Sequence, residues 1–121
     1  MDNQDFNTKY RDRTKNFTVE LLKATSTWGS RTEEIRVIKK QIIRSGTSMA
    51  ANFRATTRAR SHREYYAKLS IVVEETDETL FWLDILEETG ILPNFDLTAL
   101  KDEITELLKV FAKTRKTAKQ H

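Results

Sequence analysis

The 121-residue sequence predicts an all-α chain, an antiparallel up-down-up-down four-helix bundle. Three observations predict it. Apolar residues recur with a helical period in four separate stretches. Capping and breaking residues lie between those stretches. With only 3 Gly and 1 Pro, the chain lacks the tight turns that a sandwich or barrel needs.

The first helix is expected from about Asp12 to Thr27. Phe17, Leu21, Ala24 and Trp28 fall on one face, and Gly29 suits a C-terminal cap. Thr32 caps the second helix, with Glu33 and Glu34 beside its positive end. Ile35, Ile38, Ile42, Met49 and Phe53 carry its apolar face to about Ala59. Ser45-Gly46-Thr47-Ser48 interrupts that face with weak helix formers. It reads either as a loop or as a stretch of continuous helix approached closely by a neighbour's backbone. The return of the period in phase at Met49, with no Pro, favours the continuous helix and a structural role for Gly46. Asn52 flanks the stripe; fixing register between helices is favoured for it over ligand contact.

Ser61 and Glu64 form a capping box for the third helix, expected over about Arg63–Glu88. Tyr66, Leu69, Val73, Thr76, Leu80 and Leu83 make its stripe. Tyr65, Val72, Phe81, Trp82, Ile85 and Leu86 widen it, so this helix should touch two neighbours, inside the bundle or across a subunit contact. Gly90 then caps and Pro93 stops it. Asp96 begins the fourth helix, whose core face is Leu97, Leu100, Ile104, Leu107, Leu108 and Phe111. The basic tail from Lys113 is expected to fray. One domain spans residues 1–121, with its core over about 12–114 and both ends frayed.

Several function classes find no support. Zero Cys removes thiol chemistry and zinc ribbons and fits a reducing, cytoplasmic setting. The polar, acidic start Met1–Asp5 does not read as a signal peptide. The longest uncharged run, Ser45–Phe53, is nine residues, against about 20 for a membrane helix. Di-iron bundles use paired Glu-x-x-His motifs, but His62 and His121 are the two histidines here and neither follows a Glu by three. Neither a nucleophile elbow nor a phosphate loop occurs. No metal, cofactor or catalytic residue is expected, and the protein is not expected to be an enzyme.

The charge is segregated. The net charge of +3 divides into +1 over residues 1–30, +7 over 31–68, −10 over 69–106 and +5 over 107–121. Arg54, Arg58, Arg60, Arg63 and Lys68 surround the second turn, with Tyr65 and Tyr66 beside them. Guanidinium groups fit phosphate as a fork, and tyrosines can stack on unpaired bases. The same cations could instead pair with the acidic third or fourth helix, in the same or a neighbouring subunit. The cations at Lys113, Arg115, Lys116 and Lys119 could extend a basic surface or complement the end of the fourth helix.

The run Gln41–Ala55, with Arg58-Ala-Arg-Ser61, Tyr66–Ile71 and Glu75–Leu83, resembles the proteins encoded within intervening sequences of bacterial 23S ribosomal RNA genes. The match covers about Phe17–Phe111 and is specific as a set. It implies antiparallel four-helix bundles, homo-oligomers that are pentameric in some members, and no established catalytic activity. A related accessory protein of retroelements is a basic pentamer that works with a reverse transcriptase and nucleic acid. Many members carry Glu where this chain has Ala55, so any role resting on that acid is not carried over. Two partner classes follow: RNA or a ribonucleoprotein at the basic surface, or a second copy of the chain, its opposite charges used in self-assembly.

Overall fold

Residues 4–119 are described in the computed structural model. Residues 1–3 of the polar start and His121 lie outside them. Among the described residues there are four helices and no strand: α1 Gln4–Thr25, α2 Glu33–Thr56, α3 His62–Thr89 and α4 Thr98–Lys119. Each helix packs against two others, α1 on α2, α2 on α3, α3 on α4 and α4 on α1; the diagonal pairs keep their backbones apart and meet through core side chains such as Phe53 and Phe111. The apolar stripes therefore converge on one core. Leu21, Ile42, Met49, Leu69, Leu83, Ile104, Leu107 and Phe111 have no exposed surface there.

α2 is continuous through Ser45–Ser48, and the reason is a close approach. A Cβ on Gly46 would stand 2.3 Å from Leu21 Cδ2 and 3.8 Å from Phe17 Cε2 of α1. Ser45, also buried, accepts a hydrogen bond from Thr79 of α3 at 2.8 Å. Small side chains thus let α2 contact two neighbours at one level. Ser45 and Thr79 thus form a buried polar link between α2 and α3. Asn52 takes no such part: its amide donates to Ser48 O and Oγ within α2 at 2.9 and 3.0 Å. The short i−4 reach of an asparagine along its own helix prevails over a cross-helix partner.

The helix ends differ from the expected bounds in three places. α1 begins at Gln4 rather than near Asp12 because Phe6 and Tyr10 extend its stripe. Their rings lie 4.7 Å apart, and Phe6 also meets Phe53 at 6.3 Å. The intervening Thr14 hides this period in sequence; buried, it returns its hydroxyl to Tyr10 O at 2.8 Å. α2 stops at Thr56, short of Ala59, where Arg58 and Ala59 N–H groups turn to tighter i−3 carbonyls. α4 does not fray from Lys113. It continues to Lys119 because Ala118 is buried and its carbonyl lies 2.9 Å from His62 Nε2. On α3 the buried face is Leu69, Val72, Thr76, Thr79, Leu83 and Leu86, while Tyr66, Val73 and Leu80 flank it.

The caps follow residue chemistry. Thr32 accepts from Ile35 N–H at 3.2 Å, and Asp96 Oδ1 accepts from Thr98 N–H at 2.9 Å. Gly90 adopts φ 65° and donates to Leu86 O at 3.1 Å. Ser61 accepts from Glu64 N–H at 3.1 Å, while Glu64 Oε1 accepts from Arg60 N–H at 3.3 Å, one residue earlier than a strict capping box. That backbone bond, then the Arg60 side chain, holds the Glu64 carboxyl below its ordinary value near 4.5. A lowered carboxylate stabilises above its unfolded pKa and loses that effect as pH falls through its folded value. Ser61→Ala should cost about 1 kcal/mol at neutral pH. The stability gap between wild type and Glu64→Gln should close as pH falls below about 4.5. Thermal melting from pH 7 to acid checks both. A gap that widens toward acid would oppose this account of the cap.

Candidate nucleic-acid interface

The turn between α2 and α3 carries Arg54, Arg58, Arg60 and Arg63, all exposed, and the half-buried Lys68. Arg58 lies beyond the Thr57 cap, so it projects from the turn rather than from the α2 face that bears Arg54. Arg60 pairs with Glu64 at 3.3 Å, its side chain 88% exposed. The side chains of Arg54, Arg58 and Arg63 have no acidic partner among the described residues. An exposed guanidinium without a carboxylate keeps its whole donor fork for a ligand.

The two tyrosines separate in role. Arg115 of α4 donates to Ser70 Oγ at 2.9 Å and sets its guanidinium carbon 5.5 Å from the Tyr66 ring centre. One face of Tyr66 is thereby occupied by a cation. Tyr65 is half-buried, tilted against His62 at 6.1 Å, and its phenol is pushed up by desolvation. It lines an open groove of about 490 Å³ with Phe6, His62, Val110, Lys113 and Thr114. α1, α3 and α4 all contribute to that groove, at the same end of the molecule as the basic turn. In sequence Lys113 and Arg115 read as tail charges, and nothing local links His62 to α4. The signal that links them to the turn is the spacing Phe111–Ala118, which continues the α4 stripe by two turns.

Elsewhere the segregated charges are partly consumed inside the chain. Arg44 of α2 bonds Glu75 at 3.0 Å and also Glu78 of α3. Hydrogen bonding to Glu78 raises the Arg44 pKa, and the same bond lowers that of Glu78. Trp82 Nε1 donates to Glu78 Oε2 at 3.2 Å, so Trp82 backs this ion pair at the α2–α3 seam. Lys101 of α4 bonds Asp84 and Glu87 of α3 at 2.8 and 2.6 Å, and its pKa is raised, chiefly through Asp84. Arg13 of α1 reaches Glu103 of α4 at 2.5 Å. Among the described residues no group of three or more His, Cys, Asp or Glu is placed to hold a metal ion. No described helix is long and apolar enough to cross a membrane.

The comparisons bear on the whole arrangement. A crystal structure of a protein of unknown function from the S23 ribosomal protein family of Bacteroides thetaiotaomicron is 28% identical to this chain. Its alignment covers 91% of this chain and 97% of that one, with a TM-score of 0.80. No curated protein matches the sequence. The sequence pattern of the 23S rRNA-intervening sequence proteins matches residues 7–113, from the first turns of α1 to the last turns of α4. That span includes the close-packed centre of α2 and the whole basic turn, and the chain belongs to the 23S rRNA-intervening sequence protein family.

Proposed function

We propose that the protein is a non-enzymatic, cytoplasmic binding module that holds RNA or a ribonucleoprotein through the basic end of the molecule. The observation that carries this reading is the set of exposed arginines at one turn, Arg54, Arg58 and Arg63, with no carboxylate partner among the described residues. Arg60 and Lys68 add charge, and Lys113 brings α4 to the same end. Phosphate contacts would supply most of the affinity. Tyr65, at the groove, is the better placed tyrosine to meet an unpaired base, since Arg115 lies over Tyr66. An antiparallel up-down-up-down course is part of the reading. It is supported by contacts pairing early residues of one helix with late residues of the next: Arg11 with Thr57, His62 with Ala118, Lys101 with Glu87.

The test is binding of labelled single-stranded and structured RNA across a salt series, in wild type and in R54A/R58A/R60A/R63A. Each phosphate contact contributes about 0.7–0.9 to the salt slope, so the variant should bind weakly and with a slope reduced by roughly 3. Circular dichroism would show that its helices are retained, and R58A/R60A/R63A, which keeps Arg54, should weaken binding in the same way without a change of mass. Absence of wild-type binding at low salt would end this reading.

One observation favours a second reading, homo-oligomerisation, with five copies the number that the family resemblance implies. Glu74, Asp77 and Glu88 of α3 are exposed and carry no ion pair among the described residues, although the molecule has cations to spare.

A further inference from the structure

We propose that the outward stripe of α3 in one copy seats in the groove between α1 and α2 of a second copy. This surface rests on the self-assembly reading above and shares only Arg54 with the proposed nucleic-acid surface. The juxtaposition behind it is an apolar, acid-rimmed ridge on one face and an apolar, base-rimmed groove on another.

The ridge is built by α3. Phe81 is 51% exposed and Ile71 is 42% exposed. Their positions fall opposite the buried Leu69, Val72 and Leu83, so the helix presents them away from the core. Glu74, Asp77 and Glu88 share that exposed side. The neighbouring acids Glu75, Glu78, Asp84 and Glu87 are already bound by Arg44 and Lys101. The unpaired acids therefore lie on the face that α2 and α4 leave open.

The groove lies between α1 and α2 and encloses about 320 Å³, more than one aromatic side chain fills. Ala50 and Ala51 leave it open on the α2 side, and Val19, 41% exposed, makes its α1 wall. Leu22, one turn further along α1, is 42% exposed and extends the apolar strip. The rim carries Arg11, Lys15 and Arg54 against a single carboxylate, Asp12. Lys15 and Arg54 side chains have no ion pair among the described residues.

Shape and charge agree. A protruding ring meets a groove floored by alanine, and three unpaired acids meet a rim of excess positive charge. Apolar burial would supply the attraction, and the charges would set orientation and discourage ridge-to-ridge pairing. Because the α1 and α3 backbones lie diagonally across the bundle, ridge and groove belong to different sides of the molecule. The contact is then head-to-tail: one copy uses its ridge and the other its groove, and the pair keeps one groove and one ridge for further copies. Arg54 is shared between this rim and the proposed phosphate surface, whereas Arg58, Arg60 and Arg63 belong to the turn alone.

The experiment compares two charge-reversed forms of the full chain, K15E/R54E and E74K/D77K, each nuclease-treated and freed of nucleic acid. Light scattering reads the mass, and circular dichroism confirms helicity. The wild type should exceed the mass of one chain. Each variant alone should fall to that mass, since its two faces then carry one sign. An equimolar mixture should again exceed the mass of one chain, in assemblies with equal numbers of the two variants, because the acidic ridge of the first fits the basic groove of the second, and the reverse. F81D, a single exposed change that leaves the charges of the groove intact, should also give single chains. A wild type of one chain's mass at the highest soluble concentration would overturn both this surface and the self-assembly reading. Assembly that persists in both variants and in F81D would overturn the surface and leave self-assembly standing.

Discussion

Replacing Phe111 by alanine is expected to cost about 3–5 kcal/mol, the largest single-residue effect in the molecule. Phe111 has no exposed surface and stacks on Phe53 at 5.0 Å with 25° between ring planes. Tyr10 meets it edge-on at 5.9 Å, and Phe6 continues the cluster through Tyr10. Truncation removes a ring pair worth about 0.5–1.5 kcal/mol beyond its buried area and leaves a void bounded by three helices. The surrounding rings are planar and stiff, so the void should collapse only in part. Domains of this size are stable by about 5–15 kcal/mol, so the variant should sit near the edge of folding. Urea unfolding would read the change, and a midpoint lowered by roughly 12–20 °C would accompany it in a thermal scan. A loss under about 1.5 kcal/mol would mean that this end of the core relaxes freely. The cluster lies beneath the end that bears the basic turn and the Tyr65 groove, so the variant should also weaken any ligand held there.

Gly46→Leu should be nearly as costly, at about 3 kcal/mol or more, for the opposite reason. Alanine in mid-helix is favoured over glycine by about 1 kcal/mol. Here that gain meets Leu21 Cδ2 at 2.3 Å from the new Cβ, and Leu21 is itself fully buried. Gly46→Ala should therefore be mildly destabilising, because overpacking costs about 1–3 kcal/mol. The branched leucine has no such compromise and must push α1 away from α2. Leu21→Ala alone should cost about 2–5 kcal/mol by leaving a cavity. In the double variant Gly46→Ala/Leu21→Ala the new methyl fills part of that cavity, so the losses should fall short of additive by about 1–2 kcal/mol. Strict additivity in urea unfolding would contradict the close approach of the two helices.

The helices were legible because each one carries its own evidence. Periodic leucines and isoleucines mark the faces, and Thr32, Ser61, Gly90 and Asp96 mark the ends through bonds to backbone groups a few residues away. The family resemblance rested on the same kind of local pattern, and the match over residues 7–113 agrees with it. The basic turn was legible too, since its arginines lie close together in the chain, between positions 54 and 63. What was hidden involved partners distant in sequence. Thr14 concealed the first two turns of α1, and nothing local says that Phe6 finds Phe53. The α4 tail read as frayed because its cations are plain to see, whereas its docking depends on one buried alanine and on His62.

Composition and periodicity by themselves determined four amphipathic helices, their caps and a segregated charge, because helix hydrogen bonds and capping act within a few residues. Only the tertiary structure decided which charges are spent. Arg44 and Lys101 are neutralised by α3 because helix packing brings them within about 3 Å of its carboxylates, while Arg58 and Arg63 at the turn face none. It likewise decided that Arg115 covers Tyr66 while Tyr65 opens to a groove. Ion pairing and ring stacking depend on separations of a few ångströms between residues tens of positions apart, a distance that the helices fix only once they have packed.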